Sequence, residues 1–265
     1  MNVLHARQRA IHQSTELGTG MFVMGLRAGR DFALVPHGFM ANALAPVRSR
    51  VLSFAVEMRN LVWVIADVVT GQCVVIDACW DVAGIDAVLQ REGLTLTGLV
   101  VTHSHVDHVG GIPPPPFDKL GIRVEGLATM LARHPHAVAY IHSLDVPDVV
   151  AANPGIPLSR ITHTYDGFEL TVGCQTRLTL VHTPGHTPGS QCVVANGCRI
   201  FTGDTLFAGS FGRVDLHGGN GAHMASTLRR GYLATLPDST VVYPGHSYGG
   251  EWTTIGYERA NGIVG

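Results

Sequence analysis

Lysine is almost missing from this chain: Lys119 is the only one among 18 basic side chains, the rest being arginine. Set against 20 acidic residues they leave a formal charge of −2, so the basic footprint of a nucleic-acid binder is absent. The arginine bias reads as genome composition, not chemistry. Long apolar runs are missing too. The densest, Leu61–Ala66, is stopped by Asp67, well short of the roughly 20 residues that cross a bilayer. Cysteine is sparse: Cys73, Cys79, Cys174, Cys192 and Cys198 form no Cys-x-x-Cys pair. An odd count without a secretory signal implies reduced, mostly buried thiols and a cytoplasmic setting, with a Cys192–Cys198 bridge across a hairpin as the lesser alternative. Charged residues make up only 14% of the chain and hydrophobic ones 46%. That composition gives ample core and few solvated faces, and a single main domain is expected from the 265 residues.

Histidine, by contrast, is plentiful, with 15 copies, and several stand together. Leu96–Val101 is an apolar, β-branched run short enough for a buried strand. It runs directly into Thr102-His103-Ser104-His105-Val106-Asp107-His108-Val109-Gly110-Gly111. The sheet would hold this backbone while the polar side chains project beyond the strand end. His103 and His105 are two apart and share one side of an extended segment, and Asp107 continues the alternation. Three imidazoles and a carboxylate at this spacing suit a borderline metal such as zinc. One loop histidine is ordinarily a solvated or hydrogen-bonded residue; this cluster is not explained that way. Gly110-Gly111 would let the loop turn without a Cβ near the metals.

Residues 1–50 read as an N-terminal arm packed on the main domain, residues 51–265. The arm is rich in arginine and poor in acid, as organelle transit peptides are, but Gly18, Gly20, Gly25, Gly29 and Gly38 would weaken the helix such a peptide needs. Val51–Met58, Leu61–Val69 and Cys73–Ile76 predict a meander of three strands, and Asp81 predicts a helix cap for a segment ending near Arg91. Pro113–Pro116 predict a stiff extended connector. Gly126–Arg133, Val146–Ala152 and Ser226–Leu236 have helical character. Ala137–Ile141, Phe168–Val172, Leu178–His182, Gln191–Ala195, Arg199–Thr202 and Thr240–Tyr243 read as strands, with Asn196-Gly197 a hairpin turn. Periodicity alone says α/β.

Three later segments each end a predicted strand with a His or Asp beside Gly or Pro: His182-Thr183-Pro184-Gly185-His186, Thr202-Gly203-Asp204 and Tyr243-Pro244-Gly245-His246. Such turns aim one side chain inward. With the H-x-H-x-D-H of residues 103–108, they resemble the metallo-β-lactamase superfamily. The branch they resemble is the glyoxalase II-like (hydroxyacylglutathione hydrolase-like) one, over about residues 51–250. The resemblance implies a four-layer αβ/βα sandwich and two divalent metal ions, zinc or else iron. By similarity, His103, His105 and His186 would hold the first ion and Asp107, His108 and His246 the second, with Asp204 bridging. Asp77 would support the metal loop from behind, and His182 would lie beside the ligands, not among them. Asp204 is similar to the bridging carboxylate of glyoxalase II, where the β-lactamases proper commonly carry Cys. His105 differs from the Glu of flavin-linked diiron members.

Two divalent ions that share a water lower its pKa towards about 7 and stabilise the oxyanion formed on attack. The resemblance thus implies Asp107, His103 and His105 as catalytic residues. The first functional reading is hydrolysis of a thioester, S-lactoylglutathione or a related acyl-thiol. The second is persulfide dioxygenase chemistry on one iron held by His103, His186 and Asp204. A lactone or ester hydrolase and a non-catalytic metal-binding scaffold are the remaining readings. Phe211-Gly212-Arg213-Val214-Asp215 resembles a Gly-Arg-x-Asp segment shared by the dioxygenases and the short hydrolases. Arg213 is the candidate substrate-binding residue, since guanidinium grips carboxylate bidentately; the alternative is an ion pair with Asp215. Dedicated glyoxalase II enzymes end in a helical domain with basic glutathione-binding residues. Past His246 this sequence offers only Arg259, which leaves glutathione recognition open. A small-molecule substrate is expected, with no nucleic-acid or membrane partner; the sequence gives no indication of oligomeric state.

Overall fold

The strand Leu61–Asp67 is buried along its whole length, and its alternate residues serve two cores. Val62, Val64 and Ala66 face a helical layer, while Leu61, Trp63 and Ile65 face an opposing sheet. A strand covered on both faces reads as a continuous apolar run, which is why the densest run of the sequence lies here. The computed structural model describes residues 13–15, 20–27, 53–112, 115, 118–120 and 123–265.

Among these residues the first sheet runs in chain order: β1 (Gln13–Thr15), β2 (Met21–Arg27), β3 (Leu61–Asp67), β4 (Gln72–Ile76), β5 (Thr95–Val100), β6 (Val138–His142) and β7 (Ile161–Thr164). Pairing is antiparallel from β1 to β4 and parallel from β4 to β7. The second sheet contains β8 (Phe168–Val172), β9 (Thr176–His182), β10 (Gln191–Ala195), β11 (Arg199–Gly203), β12 (Val241–Pro244) and β13 (Thr253–Thr254). Its order is β13-β12-β11-β10-β9-β8, with β11 and β12 parallel.

The sheets pack face to face. Trp63 stands at their centre, 4.7 Å from the Tyr243 ring and 5.7 Å from that of Phe201, and its indole N–H donates to Pro244 O at 2.8 Å. Helices cover both outer faces. On the first lie α1 (helical at 53–58), α2 (Val82–Arg91), α4 (Leu127–Arg133) and α5 (Val146–Ala152), with the single turn α3 (Val106–Val109) at the strand ends. On the second lie α6 (Gly221–Arg230), α7 (Tyr232–Thr235) and α8 (Ile255–Ala260). This is the four-layer αβ/βα sandwich. None of the cysteines among the described residues is disulfide-bonded, and no helix among them is long and apolar enough to cross a membrane.

Where the structure departs from the predicted elements, periodicity supplies the reason. Val51–Met58 is not the first strand of a meander: residues 53–58 are helical, and the first two positions lie outside the described residues. Phe54, Ala55 and Met58 turn inward while Ser53, Val56 and Glu57 are exposed, a helical repeat. Arg59, with φ 53°, ends the turn. The strand that pairs with β3 is β2, aligned from Met21 opposite Asp67 to Arg27 opposite Leu61. Of the arm of residues 1–50, β2 thus lies within the first sheet with β1 outside it; apart from Gly20 the rest is outside the described residues, as are Pro113, Pro114 and Pro116 of the connector. Ser226–Leu236 is two helices. The first starts at Gly221, where the Asn220 side chain accepts from the His223 N–H at 3.0 Å, and Gly231 separates the two. Asn196 and Gly197 both have positive φ, 46° and 72°, as a tight hairpin requires.

Candidate metal centre

The site is built where strands of both sheets end. After β5 the chain stays extended through His105 (φ −66°, ψ 145°), so His103 and His105 share a side. The alternation then stops. Asp107 and His108 are delivered by the single turn of α3, not by continued extended backbone. Gly110 ends that turn at φ 74°, and a Cβ there would meet Val124 O at 2.8 Å; one on Gly111 would meet Ala152 O at 2.5 Å. The two glycines are needed for close backbone packing behind the loop, not for clearance at the metal face. From the second sheet come His186 after β9, Asp204 after β11 and His246 after β12.

All seven residues with predicted ligand roles converge. Ligand atoms of His103, His105 and His186 lie within 4.8 Å of one another, and so do those of Asp107, His108 and His246. Asp204 sits between the two sets. Its Oδ2 is 3.4 Å from His186 Nε2 and 3.2 Å from His246 Nε2, and its Oδ1 is 3.3 Å from His108 Nε2.

The far nitrogens of four imidazoles decide what the near ones can do. His186 Nδ1–H donates to Arg213 O at 2.7 Å, His246 Nδ1–H to Met58 O, and His108 Nδ1–H to Asp77 Oδ2 at 2.9 Å. Thr102 gives its hydroxyl proton to Asp77 Oδ2 at 2.7 Å, so its oxygen accepts from His103 Nδ1–H at 3.0 Å. Each bond fixes a tautomer with the Nε2 lone pair turned inward. His108 Nε2 and His246 Nε2 then face each other at 3.1 Å, and His103 Nε2 and Asp204 Oδ1 are buried without a hydrogen-bond partner. Converging lone pairs of nitrogen and oxygen donors fit a divalent cation, and a pair of them fits the two sets. Asp77 also falls within ligand distance of His103 and His108. It is a support and not a ligand, because its oxygens already accept from Thr102 N at 2.8 Å, the Thr102 hydroxyl and His108.

Electrostatics divides the cluster. Burial, and then the neighbouring imidazoles, push His103 well below the ordinary histidine value, and burial with His186 brings His105 to about 4. Burial would raise Asp204, but His246, His108 and His186 bring it down to about 2. Asp107 follows the same pattern, held well below the usual carboxylate range by His108, His246 and the Asn60 amide. The carboxylates in turn hold His108 and His246 up against burial. The carboxylate half thus favours positive charge beside it, which a cation at the inward lone pairs would supply in place of protons.

Sequence reasoning missed two supports. Asn60, buried in the turn after α1, donates to Asp107 O and Asp107 Oδ2, both at 3.0 Å, and its own oxygen accepts the Trp80 indole N–H at 3.0 Å. Asp145, fully buried, accepts from Ser104 N at 2.8 Å, the Thr187 hydroxyl at 2.7 Å and Gly189 N at 2.6 Å. It ties the first ligand loop to the turn that carries His186. An Asp before a helix signals only a cap, and these partners lie more than 40 positions away.

The cluster forms the floor of a cavity of about 780 Å³, which Arg213 also lines. The guanidinium of Arg213 is exposed and bonds Asp215 through two N–H groups, at 2.9 and 2.8 Å, while its backbone oxygen orients His186. His182 lies apart from the cluster: its ring stacks on His142 at 4.2 Å and bonds Pro188 O at 2.8 Å.

A profile of the metallo-beta-lactamase superfamily matches residues 57–246, which include all seven converging residues. The chain belongs to the metallo-beta-lactamase superfamily. Within it, a hydroxyacylglutathione hydrolase of Alkalilimnicola ehrlichii is 34% identical over 190 residues, covering 71% of this chain and 62% of that enzyme. The chain thus matches less than two thirds of that hydrolase's length. The crystal structure of ETHE1 from Myxococcus xanthus is 30% identical with a TM-score of 0.61, covering 77% of this chain and 79% of the other. The structure of TTHA1623 in a di-iron-bound form is also 30% identical, with a TM-score of 0.57 and coverage of 71% and 87%. Superfamily membership and the donor set together fit this site to divalent cations.

Proposed function

We propose that the chain hydrolyses an acyl thioester or a related ester, using two zinc ions held by the two residue sets with Asp204 common to both. The observation that carries this reading is the inward-turned lone pairs of four tautomer-fixed histidines on either side of Asp204, at the floor of a cavity. When bound, such ions supply Lewis acidity, making a water acidic near neutral pH and polarising a carbonyl. The protein's part is positional. Asp107 is held ionised, with Oδ2 fixed by Asn60 and its side chain 14% exposed towards the cavity, where it orients an attacking water. Asp204 ties the two residue sets together, and Arg213 O keeps the His186 ring in one orientation. His103 and His105 keep their lone pairs because burial holds them neutral.

Metal analysis of protein purified without added metal tests this. Two zinc-like ions per chain support hydrolysis. Asp204→Ala should then lose both ions together, and retention of full metal content by that variant would remove the shared role of Asp204. The second reading is persulfide dioxygenase chemistry on one iron; the neighbour described in a di-iron-bound form supports iron as a metal for this fold. One iron per chain, with no hydrolysis of any thioester, would establish it in place of the first.

A further inference from the structure

We infer that the substrate carries a bulky, uncharged, apolar group, an aryl or medium-chain acyl thioester, and not the carboxylate-bearing arms of a glutathione thioester. This rests on the hydrolase reading above and adds the class of substrate. The cavity is walled by aromatic and aliphatic side chains from both halves of the molecule. Phe54 and Trp80 meet edge to face, with ring centres 6.1 Å apart, on one side. Phe207 meets Tyr248 edge to face at 5.5 Å on the other, and the Tyr248 ring lies flat on that of His246 at 4.8 Å. At the mouth, Phe211, Leu216 and Tyr248 are 47%, 37% and 45% exposed. Large apolar side chains grouped around a cavity and left to water are the mark of a surface that a ligand covers.

Charge tells against an anionic substrate. Apart from the residues of the metal centre, the charged or titratable side chains described in the lining are Asp148, Arg213, His217 and the Tyr248 phenol. One edge of the Arg213 guanidinium, Nε and Nη2, is bonded to Asp215, whose carboxylate balances its charge, and His217 Nε2 lies 4.0 Å from Asp148 Oδ2. A carboxylate entering this cavity therefore meets, in the described lining, cations that each already face a carboxylate, and it meets Asp148. An apolar acyl chain meets rings. The volume, about 780 Å³, takes such a group together with the scissile carbonyl at the floor. The reaction is balanced by water alone. Its oxygen bonds to the acyl carbon, the C–S bond breaks, one proton goes to the thiolate, and the carboxylic acid formed releases the other; nothing is oxidised.

The test is a series of N-acetylcysteamine thioesters, acetyl, butyryl, hexanoyl and benzoyl, run beside S-lactoylglutathione on the zinc-loaded protein. Expected is a rise in kcat/KM of about threefold per methylene from acetyl to hexanoyl, with S-lactoylglutathione at least tenfold below hexanoyl. Phe211→Ser and Leu216→Ser, both at exposed positions, should lower the hexanoyl-to-acetyl ratio. A flat or falling series with S-lactoylglutathione as the best substrate would overturn the substrate class and leave the hydrolase reading standing. Should no thioester turn over, calorimetric binding of the same compounds separates the two ideas. Affinity that still rises with chain length keeps the apolar class and removes the hydrolase reading, and affinity independent of chain length removes the class.

Discussion

Asn60 commits both ends of its side chain to the centre: the amide N–H groups hold Asp107 by its backbone and its carboxylate, and the amide oxygen is held by Trp80. Replacing it with alanine orphans a buried indole N–H and releases the one carboxylate oxygen that faces His108 and His246. Partners of this kind are worth roughly 10–100-fold in metal affinity. Asn60→Ala should therefore weaken the ion held by Asp107, His108 and His246 by that factor, read by competition with a chromogenic chelator. The ion on His103, His105 and His186 should bind as before, and equal loss from both sets would show that Asn60 supports the fold, not the set. Gly245 offers a second check on the same scale. A Cβ there would lie 2.7 Å from Asp204 Oδ1 and 2.9 Å from His108 Cε1. Gly245→Ala should thus lower metal content and turnover at least tenfold while the circular dichroism of the fold is kept. Unchanged metal content would mean that the loop yields without disturbing Asp204.

At the scale of elements, the legible parts are those in which a ligand closes a strand. His103 and His105 follow β5, and His186, Asp204 and His246 follow β9, β11 and β12, so local pattern and chemistry coincide there. What stays hidden is held by contacts remote in sequence. Residues 53–58 are as apolar as a strand, and only the side-chain period separates the two readings. β2 is hidden for a related reason: its apolar residues gain meaning only from pairing with β3, which lies beyond a long stretch of chain. Asp67 is a third case. It closes β3 at the turn before β4, accepting from Thr70 N at 2.9 Å, and reaches across to the turn before β9, accepting from Gln175 N at 2.7 Å. Burial would raise its pKa, but the N–H groups of Thr70, Gln175 and Cys174 bring it down from 3.8 to about 2. A carboxylate lower in the folded than in the unfolded state stabilises fully above its unfolded value and progressively less below it. The contribution of Asp67 should be constant above pH 4 and fade as the pH drops from about 4 to 2. Urea unfolding of the wild type and Asp67→Asn across that window should show their difference shrinking with acid; a constant difference would mean that Asp67 does not titrate there.

For the whole molecule, the consequential fact is that the centre sits on a seam. His103, His105, Asp107 and His108 come from the half built on the first sheet, and His186, Asp204 and His246 from the half built on the second. Each residue set takes members from both halves, so a cation held by either set would fasten one half to the other and would bind only where both are in place. A ligand that binds the native state alone stabilises it by RT ln(1 + [L]/Kd), about 4 kcal/mol at a thousandfold excess over Kd. At roughly 2–4 °C per kcal/mol for a domain of this size, stripping the metal with a chelator should lower the melting temperature by about 8–16 °C. The inter-sheet core around Trp63, Phe201 and Tyr243 remains in the stripped protein, so unfolding should still be one cooperative transition and added zinc should restore the original midpoint. Hydrogen exchange distinguishes a seam from a local loop site. Protection should fall together in the ligand loops after β5 and β11, which belong to different sheets, and loss confined to one of them would show that the cation organises a single loop and not the junction.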